Sequence, residues 1–126
     1  MIGITSILTY AMIGMSAGFL SGMMGIGGGV IIVPAMTMLI GMSQKEAQGL
    51  SLAVIVPMAL FSFLRYRHMG FVQIDIKTTI VLVVAAVIGA QIGTTLMSGM
   101  SNKSLQLMFG IFVIITGAAI VIKATR

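Results

Sequence analysis

The chain contains no cysteine. Disulfides, thiol nucleophiles and thiolate metal ligands are therefore excluded. It has only two acidic residues, Glu46 and Asp75, and a single histidine, His68. No metal site can be assembled from such a set within one chain, and no cofactor is expected. His68 stands between Arg67 and Met69 in a basic connection and reads as a surface residue rather than a base or ligand. An enzyme needs titratable groups in a pocket, and the apolar segments contain none, so no enzyme is expected. Charge is the scarcest commodity of all. Only 7% of the 126 residues are charged and 59% are hydrophobic, whereas a soluble domain carries about 25% charged residues. That is too little charge to cover a globular surface.

The charges that do occur are clustered at Lys45 and Glu46, from Arg65 to Lys77, at Lys103, and at Lys123 and Arg126. Residues 1–44, 47–64, 78–102 and 104–122 carry none. A bilayer core of ~30 Å needs about 20 apolar residues of helix. The composition and spacing predict an all-α, polytopic transmembrane protein lodged in the lipid bilayer, multi-pass in the cell membrane. The net charge of +5 does not point to nucleic acid. That partner needs a basic face with polar or aromatic contacts, and these cations flank apolar segments, where they orient membrane proteins. No basic residue precedes the first apolar run and more membrane sequence follows it, so that run reads as a retained membrane segment and not a cleaved signal.

About four to five membrane segments are expected, in a single transmembrane domain over residues 1–126. Residues 1–42 form a glycine-broken pair. Its first member runs from Ile4 to Met24, with Gly14, Gly18 and Gly22 on one face at a spacing that lets helices approach closely, although membrane helices are generally glycine-rich. Its second member, Val30 to Met42, reaches only ~20 Å at 1.5 Å per residue. It is too short to span and has Pro34 near its start, where a missing N–H costs little. A short helix beginning at a break is the sequence pattern of a discontinuous or re-entrant helix. Membrane helices then follow at 43–64, 76–97 and 104–122. Ser43 and Glu46 make a capping box, Pro57 is a kink site, Asp75 caps the fourth segment, and Ser101 or Asn102 caps the fifth.

The clusters at 65–77 and 123–126 lie on one face, and their cation excess over Lys45 and Lys103 assigns that face to the cytoplasm. If the first two segments form an out-and-back pair the number of crossings is odd. If only one crosses, it is even.

The break itself, Gly25, Gly27, Gly28 and Gly29, fails as a nucleotide motif. It lacks a Gly-Lys-Ser/Thr ending, a preceding strand and a downstream acid. Its depth matters more, because irregular backbone in a membrane survives only beside protein or water. The free N–H groups of Gly27, Gly28, Gly29 and Val30 sit at the start of a helix whose dipole is equivalent to about +0.5 charge. That arrangement makes an anion site without a cationic side chain. The alternative is a tight turn in which glycine serves packing alone. Gln48, Ser51, Gln91, Thr94 and Thr95 are uncharged polar residues that could complete such a site. Gln91 at mid-segment requires a partner, while Ser51 could equally bond its own helix backbone. The 13 methionines read as flexible packing.

At these residues the chain resembles the TauE/SafE family of sulfite and organosulfur anion exporters. "GFLSGMMGIGGGVIIVPAM" is similar to the family's glycine-rich signature, down to the Val-Pro within it. "KEAQGLSLAVIV" resembles a stretch that usually reads Ala-x-Gly-Thr-Ser-Leu. "RYRHMGFVQIDIKTTIVL" is similar to its basic loop, and "GAQIGTTL" and "SLQLMFGIFVIITGAAIVIKA" to its last helices. The resemblance covers essentially the whole chain.

It implies transport of a small anion, sulfite or a sulfonate, with Gly25 to Gly29, Ser51 and Gln91 near the permeation path. The passive anion channel and the structural or accessory subunit are the competing readings. Two departures stand out. Leu50 replaces the usual threonine after Gly49, which puts substrate identity in doubt. Family members are typically twice as long, with two copies of this unit. A single copy implies a homodimer, parallel about an axis along the membrane normal, since homo-oligomers are usually closed. An antiparallel pair and a fragment of a longer chain are the alternatives.

Overall fold

The structure, a computed structural model, describes residues 3–126. Among the described residues it holds five helices and no strand: α1 (Ile4–Met24), α2 (Gly29–Leu39), α3 (Gln44–His68), α4 (Ile76–Ser98) and α5 (Asn102–Ala124). Helices α1, α3, α4 and α5 are long and apolar enough to cross a membrane. Helix α2 has 11 residues and reaches about 16 Å, roughly half the hydrocarbon thickness.

Local chemistry explains most of the boundaries. The Ser43 hydroxyl accepts from the Glu46 N–H at 3.3 Å, and Glu46 Oε2 accepts from the Ser43 N–H at 3.0 Å. This closes the capping box at the start of α3. Asp75 Oδ2 accepts from the Thr78 N–H at 3.1 Å, and Ser101, not Asn102, caps α5 by accepting from the Ser104 N–H at 3.2 Å.

Three features differ from the sequence reading. Helix α2 begins at Gly29 and stops at Leu39, short of Met42, because Gly41 turns left-handed at φ +78° and the Met42 N–H donates back to the Met36 carbonyl at 3.1 Å. Pro34 therefore lies inside α2, where its missing N–H removes an interior hydrogen bond. Helix α3 runs on to His68 rather than ending near Leu64. Arg65, Arg67 and His68 occupy its last turn, where positive charge is favoured by the helix dipole, and the Tyr66 hydroxyl anchors that turn by donating to the Gly22 carbonyl at 2.6 Å.

The same bond sets the threading. It places the end of α1 beside the end of α3, and further along Gly18 faces Met58. Tyr10 and Ile13 then share a cavity wall with Leu50 and Val54. Helices α1 and α3 run parallel, and α2 returns against both. This is the out-and-back arrangement. At the opposite end Lys45 Nζ donates to the Ser98 carbonyl at 3.0 Å, and the Lys45 N–H donates to Asn102 Oδ1 at 3.3 Å. The start of α3, the end of α4 and the start of α5 therefore share one end, and Arg65, Arg67, Lys77, Lys123 and Arg126 gather at the other.

The buried cluster joins α1, α2 and α3 through Ile13, Ala17, Ile32, Val33, Met36 and Ala47. On α1 the buried line is Ile13, Ala17 and Ser21. The glycine stripe lies one residue to its side. Helix α5 adds Leu105, and α4 buries none of its residues.

Candidate functional site

Between α1 and α2 the backbone turns left-handed at Gly25, Gly27 and Gly28, with φ of +69°, +77° and +71°. A side chain in that region costs roughly 1–2 kcal/mol per residue, which is why these positions are glycine. The Gly25 N–H donates to the Ser21 carbonyl at 2.7 Å and ends α1. The Gly28 carbonyl accepts from the N–H groups of Ile31 and Ile32, both at 3.0 Å, and starts α2. The N–H groups of Gly27, Gly28, Gly29 and Val30 donate to no group among the described residues.

Two of those residues border a cavity of about 510 Å³. Gly29 and Val30 stand on one side, Gln48 and Ser51 of α3 on another, and Gly93 and Thr94 of α4 close it. Ser51 is only 2% exposed, and its hydroxyl makes no hydrogen bond among the described residues. The hydroxyls of Ser21 and Ser62 likewise make none, whereas several threonines bond their own helix. The hydroxyls of Thr9, Thr37, Thr94 and Thr95 each donate to the carbonyl four residues back, at 2.8 to 3.0 Å. Ser51 Oγ lies 3.2 Å from where a Cβ on Gly29 would stand. The missing side chain keeps open the gap between the amide end of α2 and this hydroxyl. No charged side chain lines the cavity. Its positive character comes from the backbone alone.

The remaining sequence-predicted residues are placed elsewhere. Gly25 and Gly27 line a separate cavity of about 240 Å³, with Ser21, Ser62 and Tyr66. Gly28 lines neither. A Cβ there would stand 2.7 Å from Met58 Cε and 3.5 Å from the Ala17 carbonyl, so this glycine permits close packing of α1, α2 and α3. Gln91 is exposed on α4. Its neighbours Ala90 and Thr94 turn toward the larger cavity instead.

One polar residue was not anticipated. Gln44, the first residue of α3, is 3% exposed, and its Nε2 is buried without a hydrogen-bond partner. In sequence it sits inside a capping box, where a polar residue looks solvent-facing. Only tertiary packing by α2 and α5 buries it.

A family model described as sulfite exporter TauE/SafE matches residues 3–124. The chain is also similar to the probable membrane transporter protein YunE of Bacillus subtilis (strain 168), with 29% identity over 126 residues, covering 94% of this chain and 45% of the relative. It thus spans less than half the length of that relative. No solved structure matches the chain significantly.

Proposed function

Because the chain belongs to the sulfite exporter TauE/SafE family, a family of multi-pass membrane transport proteins and not of enzymes, we propose that it carries small sulfur oxyanions, sulfite or a sulfonate, across the cell membrane. The amides of Gly29 and Val30 bind the anion at the start of α2. Ser51 donates a further hydrogen bond, and Gln48 stands at the same cavity. The observation that carries this reading is Ser51, a buried residue whose hydroxyl makes no hydrogen bond among the described residues and stands beside the amide end of α2. A helix N-terminus binds anions through its free N–H groups and its dipole, and a second donor of this kind fixes where the anion sits. Gly28 is assigned to packing, and Gly25 and Gly27 to the adjoining cavity on the Arg65 side.

Neither acid nor histidine lies at this depth, so a coupling ion rides with the substrate or meets backbone carbonyls. Movement is by alternating access. Flux that saturates at low sulfite and turns over slowly supports this and excludes the passive channel. Two units complete the path as a homodimer joined through α4, which buries nothing within one chain and carries Gln91 on the surface turned away from the cavity. Gln91 then finds its partner in the second copy.

Gly29→Ala tests the site. The backbone at Gly29 is helical, so alanine is unstrained, but its methyl occupies the space between the amide and Ser51. Loss of one hydrogen bond to a charged group costs about 1.5–3 kcal/mol, or roughly a tenfold or greater fall in sulfite affinity. Undiminished uptake by Gly29→Ala in reconstituted vesicles would exclude the site.

A further inference from the structure

The orphaned amide of Gln44 points to a second binding place. A buried donor without a partner costs about 1–3 kcal/mol, and such groups call for an explanation. Gln44 opens on a cavity of about 310 Å³ between α2, the start of α3 and α5. Gln106 of α5 brings a second carboxamide to it, and Val30 and Pro34 form its α2 wall. Pro34 has no N–H, so the Val30 carbonyl lacks its helical donor. The Thr37 hydroxyl is committed to the carbonyls of Val33 and Pro34, at 3.0 and 3.1 Å. No charged side chain lines the cavity, and its polar groups are neutral donors and acceptors. Val30, Val33 and Phe109 line both this cavity and the one at Ser51. The two therefore share a wall, and the Gln44 cavity lies toward the Lys45 end.

We propose that the Gln44 cavity is a second station for the same oxyanion, with the Gln44 and Gln106 carboxamides as donors and Val33 and Phe109 as the constriction between stations. This rests on the transport reading above. An anion leaving the amide end of α2 toward the Lys45 face passes the shared wall and reaches the Gln44 carboxamide, whose sealed Nε2 has no other partner and turns outward to donate. Two uncharged stations suit conduction of an anion through apolar surroundings, because each is weak enough to release it.

The test uses the full chain in lipid nanodiscs and in vesicles, with sulfite as the probe. Gln44→Met keeps side-chain length and removes the donor, and Gln44→Leu serves as a second variant. Both are expected to melt at or above the wild-type temperature, since a buried unpaired donor is gone. Calorimetry should show one sulfite fewer per chain, with affinity at the remaining site within roughly twofold of wild type, and flux should fall about tenfold or more. Unchanged stoichiometry with wild-type flux overturns the second station and leaves the first intact. A lowered melting temperature with unchanged stoichiometry assigns Gln44 a structural role and also overturns it. Absence of sulfite binding by the wild-type chain overturns both stations at once.

Discussion

At Gly28 the backbone sits at φ +71° and an added Cβ would meet Met58 Cε at 2.7 Å. Gly29, next to it, is helical, and an added Cβ would stand 3.2 Å from Ser51 Oγ and 3.3 Å from Ile55 Cδ1. The two glycines therefore respond differently to the same methyl group. Gly28→Ala is expected to lose about 1–3 kcal/mol of stability through left-handed strain and the clash. Pairing it with Met58→Ala should recover the clash and leave the strain, so thermal melts in detergent should show partial recovery. Gly29→Ala, free of left-handed strain, should melt closer to the wild type than Gly28→Ala while binding sulfite poorly. In sequence Gly28 and Gly29 are indistinguishable. What separates them is the approach of Met58 and Ser51 from α3, residues far away along the chain. Gln44 was illegible for the same reason, because its burial is made by other helices.

Among the elements, the caps were the most legible. Ser43, Asp75 and Ser101 act on N–H groups three residues away, so the signal is local and survives without knowledge of the fold. The ends of α2 and α3 were less so. Helix α2 stops at a left-handed Gly41, and α3 gains its last turn from a tertiary bond between Tyr66 and Gly22. Removing the capping box with Ser43→Ala should cost about 1 kcal/mol, read as a lowered melting temperature.

At Asp75 the hydroxyl and N–H of Thr78 hold the carboxyl below its ordinary value near 3.8. A depressed folded-state value means the cap is fully present above that ordinary value. It is lost as pH falls through the depressed one. Amide protection at Thr78 should therefore hold at neutral pH and fade only in strong acid. In Asp75→Ala that protection should already be missing at neutral pH.

For the whole molecule, the parallel course of α1 and α3 fixes which segments share a face. Gly3 and Ser101 belong to the Lys45 end, and Gln73 to the end that carries Arg65, Arg67, Lys77, Lys123 and Arg126. The positive-inside bias assigns the latter to the cytoplasm. The chain has no cysteine, so single cysteines report cleanly. Gly3→Cys and Ser101→Cys should react with an impermeant thiol reagent on intact cells, and Gln73→Cys only after permeabilisation. Reaction of Gly3→Cys and Gln73→Cys from the same side would contradict the out-and-back threading. The uncovered α4 makes its own prediction. If two copies join through α4 as proposed, Gln91→Ala should shift the purified protein toward the monomer in size-exclusion chromatography with light scattering, and an unchanged oligomeric state would remove α4 from the interface. The all-α membrane character was readable from the apolar runs alone. The pairing of α1 with α3 was not, because charge spacing is silent on how a half-length helix returns.

The most direct measurement of the central claim is a titration of isotopically labelled protein in nanodiscs with sulfite, following backbone amide resonances. The account predicts that the N–H signals of Gly29 and Val30 move together with that of Ser51 and saturate, while that of Gly28, packed against Met58, moves least among the break residues. Sulfite transport by the same preparation with the Gly29 and Val30 amides unmoved would contradict it.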